Sequence, residues 1–168
     1  MFRSQSPRKP GSTEQRTQMH IILKNHVEEL ARDFEYEDLP VSRKFERFCN
    51  YCVVSKGFFG RFSPAVVTTE EDDASIDGLA IIVDGDLITS IDDATEVFKT
   101  HKTNLQVDII FTQVKSGEHF RKDEIANFKI GLEDFLSFDP KLPNGKFNLE
   151  SLQIIKIILE NLKKVRNR

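Results

Sequence analysis

Asp77, Gln113 and Lys115 are the residues of this sequence whose types and spacing suit chemistry. A carboxylate and an amide oxygen are hard donors. They suit Mg²⁺, which takes one or two protein carboxylates and completes its shell with water and phosphate oxygens. The backbone carbonyl of Val114, between Gln113 and Lys115, is a third candidate oxygen. An ammonium such as that of Lys115 can orient a water and lower its pKa, or stabilise charge developing on phosphate. Glu46 is a further candidate acid, placed just off the apolar face of a predicted helix, where a carboxylate would reach a sheet edge.

Such a trio needs elements that bring residue 77 beside residues 113–115. Residues 105–115, "LQVDIIFTQVK", read as a strand. Side chains alternate along a strand. Val107, Ile109, Phe111, Gln113 and Lys115 therefore share one face, and Asp108, Ile110, Thr112 and Val114 the other. Upstream, "DGLAIIVDGDLITSI" reads as a hairpin over about residues 77–90, with β-branched runs on either side of a tight turn at Asp84-Gly85. Asp77 opens its first strand, on the face of Leu79, Ile81 and Val83. If the two strands are antiparallel neighbours, the start of one lies beside the end of the other and the trio converges. Ligand sites of open α/β sheets gather at such ends.

Helical spacing of apolar residues fills in the rest. Met19, Ile22, Leu23, Val27 and Leu30 predict a helix over 17–33. Phe45, Phe48, Cys49, Cys52 and Val53 predict an amphipathic helix over 43–55, capped by Ser42. Residues 92–104 read as a short helix or loop. Helices follow over 122–138, with Ile125, Phe128, Leu132, Phe135 and Leu136 inward, and over 148–166. The last is apolar on more than one stripe and predicts packing on two sides, against a further domain or a second copy. The order implies α/β architecture: a mixed sheet flanked by helices. The expected organisation is a disordered tail at 1–16, a domain at 17–138, and a linker plus amphipathic helix at 139–168.

Composition sets bounds. The chain has 168 residues, 39% hydrophobic and 30% charged, with a net charge of −3. That counts against a strongly basic nucleic-acid binder. Basic residues nonetheless cluster at both ends. The N-terminal residues lack the apolar core of a secretory leader, and no apolar run approaches the ~20 residues of a membrane span. With two cysteines there is no disulfide scaffold, so the expected setting is cytoplasmic, without a membrane partner.

Plainer readings compete for several motifs. Asp77-Gly78 taken alone is a turn, and Lys115 taken alone is a solvated strand end. Cys49-x-x-Cys52 lacks the two further ligands of a zinc site, so both cysteines are expected in the core. His119 reads as a loop residue. Asp72 or Asp73, in the acidic run after Thr69, could add a second carboxylate. "DGDL" at 84–87 is a turn rather than a calcium loop.

Asp77 at a hairpin entrance, Gln-x-Lys at 113–115 on an apolar strand, and a helix beyond it resemble the restriction-endonuclease-like (PD-(D/E)xK) superfamily. Gln113 in place of the usual acid resembles its Mrr-type branch, as does Phe45-Glu46 within "KFERFCNYCV". More closely, "DDASIDGLAIIVDGDLI", "VDIIFTQVKSGEHF" and "DEIANFKIGLEDFLS" look like the N-terminal region of the AIPR family of bacterial abortive-infection phage-resistance proteins. The resemblance spans about residues 17–138. It implies a restriction-endonuclease-like fold and a Mg²⁺- or Mn²⁺-dependent endonuclease that hydrolyses phosphodiester bonds in DNA, or in RNA, during phage defence. In that reading Asp77, Gln113 and the Val114 carbonyl hold the metal and Lys115 positions the attacking water. Glu46 is then an auxiliary acid, and Ser116 touches phosphate. A second reading stays open: a nuclease-like fold without catalysis that docks nucleic acid or protein.

Overall fold

Every residue of Gly78–Val83 is buried, which makes this strand, β1, the centre of the molecule. It carries small and β-branched residues on both faces because helices cover both. The computed structural model describes residues 19–70, 74–100, 103–117 and 121–166. They form α1 (Ile21–Asp33), α2 (Val41–Val54), a 3-10 turn (Pro64–Val67), β1, β2 (Asp86–Ile88), α3 (Ile91–Thr100), β3 (Val107–Thr112), α4 (Lys122–Phe135), α5 (Lys146–Glu160) and a last 3-10 turn (Leu162–Lys164). This is a mixed α/β fold with five helices and a three-stranded antiparallel sheet in the order β2-β1-β3.

The hairpin follows from its turn. Asp84 and Gly85 have φ of 53° and 93°, the pair of positive values a two-residue type I′ connection requires. Val83 then pairs with Asp86. β3 returns on the other edge of β1, with Gly78 opposite Thr112 and Val83 opposite Val107. The sheet expected from the sequence was mixed. β2 and β3 do run parallel, with α3 between them in the chain, but β1 separates them, so every ladder is antiparallel. Parallel pairing survives as one bridge, Leu105 with Val165, outside the sheet.

Burial of Leu79, Ile81 and Val83 places one face of β1 in the main core with Ile76, Phe135, and Leu152, Ile154, Ile155 and Ile158 of α5. Removing an aliphatic side chain from water is worth about 1.5–3 kcal/mol. The expected division at 138/139 therefore falls inside one packing unit, because α5 completes the core that β1 begins. The other face sets Ala80 against Val54, Phe62 and Val67.

Two expectations for α2 need correction. It begins two residues early, after Pro40, with no side-chain cap in place of the expected Ser42. Its buried residues are Lys44, Asn50 and Val54, whereas Cys52 and Val53 are exposed. The helix is rotated relative to its apolar stripe because polar partners wait inside. The Lys44 ammonium meets the Glu28 carboxylate of α1 at 2.7 Å, and Asn50 faces the sheet. Elsewhere, Ile125 of α4 and Leu136 just after it are exposed, so the face expected inward is only partly covered. The expected tail at 1–16 lies outside the described residues. Among those described, no helix is long and apolar enough to cross a membrane.

Candidate functional site at the open end of the strand pair

The β1–β3 ladder changes character at Asp77. The register that pairs Gly78 with Thr112 would set Asp77 opposite Gln113. Instead the Asp77 N–H donates to the Thr112 carbonyl at 2.9 Å, and β3 ends there. The Val114 N–H turns to the Asp77 carboxylate, donating to Oδ2 at 2.5 Å. A side chain thus continues the pairing that the main chain stops, and Asp77 reaches the middle residue of Gln113-Val114-Lys115.

On its other edge β1 meets the 68–69 segment. Thr68 bridges Gly78, and the Thr69 N–H donates to the Asp77 carbonyl at 3.2 Å. The same carbonyl accepts from Asn50 Nδ2 at 2.9 Å. Asn50 also donates to Thr68 Oγ1 at 3.1 Å and accepts from Thr112 Oγ1 at 2.6 Å. These contacts need Gly78. A Cβ there would lie 2.5 Å from both Asn50 Nδ2 and Thr112 Oγ1, so only glycine lets the amide cross the strand.

Glu46 is held differently. Arg43 Nη1 lies 2.8 Å from each of its carboxylate oxygens, and Arg43 Nη2 donates to the Thr69 carbonyl at 2.6 Å. Glu46 therefore connects to Asp77 through Arg43 and Thr69, with its charge offset on the way. Gln113, Val114 and Lys115 are half-buried and Ser116 is exposed. Beyond Thr112 the strand pleat no longer governs, so the expected common face of Gln113 and Lys115 is not a property of β3 itself. Asp72, Asp73 and His119 lie outside the described residues.

The oxygens expected from the sequence are one carboxylate, one amide oxygen and one main-chain carbonyl; of these residues, Asp77 and Val114 are in contact, through the Val114 N–H. These oxygens fit a hydrated Mg²⁺ or Mn²⁺ with low protein charge. Among the described residues, no group of three or more His, Cys, Asp or Glu is gathered to hold a metal.

The cysteines do not join the site. Burial, then Cys52 and Glu46 beside it, push the Cys49 thiol up to about 11. Burial also raises Cys52, against the opposing pull of Lys56. Both stay protonated near neutrality, a poor state for a ligand or nucleophile. A cleft of about 410 Å³ lies between Thr68–Glu70 and the start of α5, and its lining does not include Asp77, Gln113 or Lys115.

The structure sets Asp77 against the Gln-x-Lys segment and surrounds it with Asn50, Thr112, Thr68 and Arg43, which the sequence did not single out. The available signals were a lone amide at Asn50 in the uncharged stretch 48–54 of α2 and the glycine directly after Asp77. The fold and this strand-end cluster define a small α/β domain with a polar site built on a central hairpin. No family model, curated protein or solved structure matches the chain.

Proposed function

We propose that the chain is a Mg²⁺- or Mn²⁺-dependent endonuclease of restriction-endonuclease-like type, hydrolysing phosphodiester bonds of DNA in phage defence. The observation that carries the reading is the bond from Val114 N–H to the Asp77 carboxylate. It draws the acid to the Gln-x-Lys segment across an antiparallel strand pair, as the sequence pattern requires. Asp77, Gln113 and the Val114 carbonyl would hold the ion. When bound, the metal supplies Lewis-acid stabilisation of charge on the phosphate. Lys115 orients the attacking water and offsets the charge that develops during attack. Ser116, exposed beside it, is a phosphate contact. Glu46 acts as an auxiliary acid at one remove, through Arg43.

Single-turnover cleavage of plasmid, linear duplex, single strands and RNA, with and without Mn²⁺, tests the reading. Asp77→Asn should abolish metal-dependent cleavage, since the neutral amide still accepts from Val114 but loses the charge. Gln113→Glu adds a hard anion and should tighten Mn²⁺ binding. Lys115→Ala should slow cleavage by about a hundredfold or more with a far smaller loss of affinity, because one ammonium is one phosphate contact among several. Lys115→Arg should not rescue, because a broad guanidinium cannot replace a compact charge. A Lys115→Ala protein that cuts as fast as the parent ends the proposal.

One observation favours a binding module instead: among the described residues, no group of three or more His, Cys, Asp or Glu gathers around Asp77. That reading expects no cleavage in the parent, a modest affinity loss in Lys115→Ala, and tolerance of Lys115→Arg.

A further inference from the structure

We propose that Asn50 is the positioning residue for Asp77, holding its carboxylate on the Gln113–Lys115 segment from α2; the catalytic part of this inference rests on the function proposed above. Asn50 is 1% exposed, so it touches no substrate. Its bonds have one consistent assignment. The Thr68 hydroxyl gives its proton to the Pro64 carbonyl at 2.8 Å, so Thr68 Oγ1 can only accept from Asn50. The Asp77 carbonyl can also only accept. Both therefore face the NH₂ of Asn50, and the Thr112 hydroxyl must donate to its oxygen.

Each amide N–H is used, and the group is tied to β1, to β3 and to the 64–68 turn at once. An unmade bond of a buried amide carries the full desolvation penalty, so the network holds only when Asp77 and Thr112 sit in one relative arrangement. That matters here more than along the rest of the ladder. β3 ends at Thr112, and beyond it no main-chain ladder sets the spacing of residue 77 from residue 114. The Asn50 amide holds the Asp77 carbonyl and the Thr112 hydroxyl across the missing side chain of Gly78. It thereby orients the Asp77 peptide so that the carboxylate meets the Val114 N–H.

The test reads the bond to Asp77 directly as well as through the metal. In the ¹⁵N-labelled protein, Asn50→Ala should lower hydrogen-exchange protection of the Val114 amide at least tenfold relative to Ile81 and Ile109, and weaken Mn²⁺ binding by about 10–100-fold, the range typical of outer-shell partners. Val54→Ala is the control for general destabilisation. Val54 is buried on the same helix, one turn on, and outside the network. Its replacement should leave Val114 protection and the Mn²⁺ affinity within about twofold of the parent once global stability is accounted for. If Asn50→Ala does not fold, Thr112→Val removes one donor of the same network and is read in the same way.

Unchanged Val114 protection in the variant, or an equal change in Val54→Ala, overturns the inference. If Val114 responds as expected but Asp77→Asn leaves Mn²⁺ affinity untouched, positioning of Asp77 stands and the metal-dependent function falls.

Discussion

The two ends of the β1–β3 ladder are closed by different means. At the Val83–Val107 end, main-chain pairing runs past the strands. The Asp84 N–H donates to the Gln106 carbonyl at 2.8 Å, and Leu105 exchanges bonds with Lys164 and Arg166 at 2.9 and 2.8 Å. Val83 and Leu105 are buried there, while Asp84 and Gln106 are exposed and enter the pairing only through their main chain. At the Gly78–Thr112 end the ladder stops, and the Asp77 carboxylate and the Asn50 amide take over. An end closed by the backbone tolerates a change of side chain, because its hydrogen bonds belong to the main chain. A polar end depends on particular side chains, because each carries a bond that nothing else supplies.

The sharpest test of that contrast is Leu105→Ala. Truncating a buried leucine costs about 2–5 kcal/mol. Unfolding in urea should show this loss, while Mn²⁺ affinity of the remaining folded protein stays near the parent value. A selective loss of metal binding would mean the two ends are coupled rather than distinct.

Gly78→Ala should cost less in stability, about 1–3 kcal/mol for a buried polar group left unpaired. The new Cβ displaces Asn50 and Thr112, so this variant should lose Mn²⁺ affinity where Leu105→Ala does not. Gly85→Ala, at the hairpin turn, meets nothing within 4 Å but must adopt φ of 93°. Strain alone should remove about 1 kcal/mol, with metal binding unaffected. The pair separates a glycine needed for space from one needed for its backbone angle.

The smallest effect concerns the helix that supplies Asn50. The Cys49 thiol rises from 9.0 to about 11, and burial lifts Tyr36 from 10.0 to about 12. Both groups are neutral when protonated, and the folded chain holds their protons more tightly than the unfolded chain. Their stabilisation is complete below about pH 9 and is lost as pH rises through about 11 and 12. Thermal melts should show the midpoint falling over that window, and Cys49→Ser should flatten its lower part.

Parts of this were legible in the order of residues. Asp84-Gly85 announced the hairpin because few residue pairs accept two positive φ values in succession. Asp77 stood out because an antiparallel pairing of its strand with 105–115 would bring it to Gln113 and Lys115. The orientation of α2 was not legible. Its apolar pattern pointed Cys52 and Val53 inward, yet Lys44 and Asn50 are the buried residues. Periodicity weighs hydrophobicity and cannot see that a lysine will find Glu28 or that an amide will find Asp77, Thr68 and Thr112.

By itself the sequence determined the local elements: a two-residue turn, a wholly apolar central strand, and helices with enough apolar surface to cover both its faces. Turn angles and the exclusion of apolar groups from water act over a few residues, so they can be read from a short window. Only the tertiary structure decided that β3 ends at Thr112, that the Asp77 carboxylate takes over from the backbone, and that Asn50 holds it from across the sheet. Those outcomes rest on hydrogen bonds between residues far apart in the chain, from Asn50 to Thr112 and from Asp77 to Val114. A polar group declares its partner only when folding has removed water as the alternative.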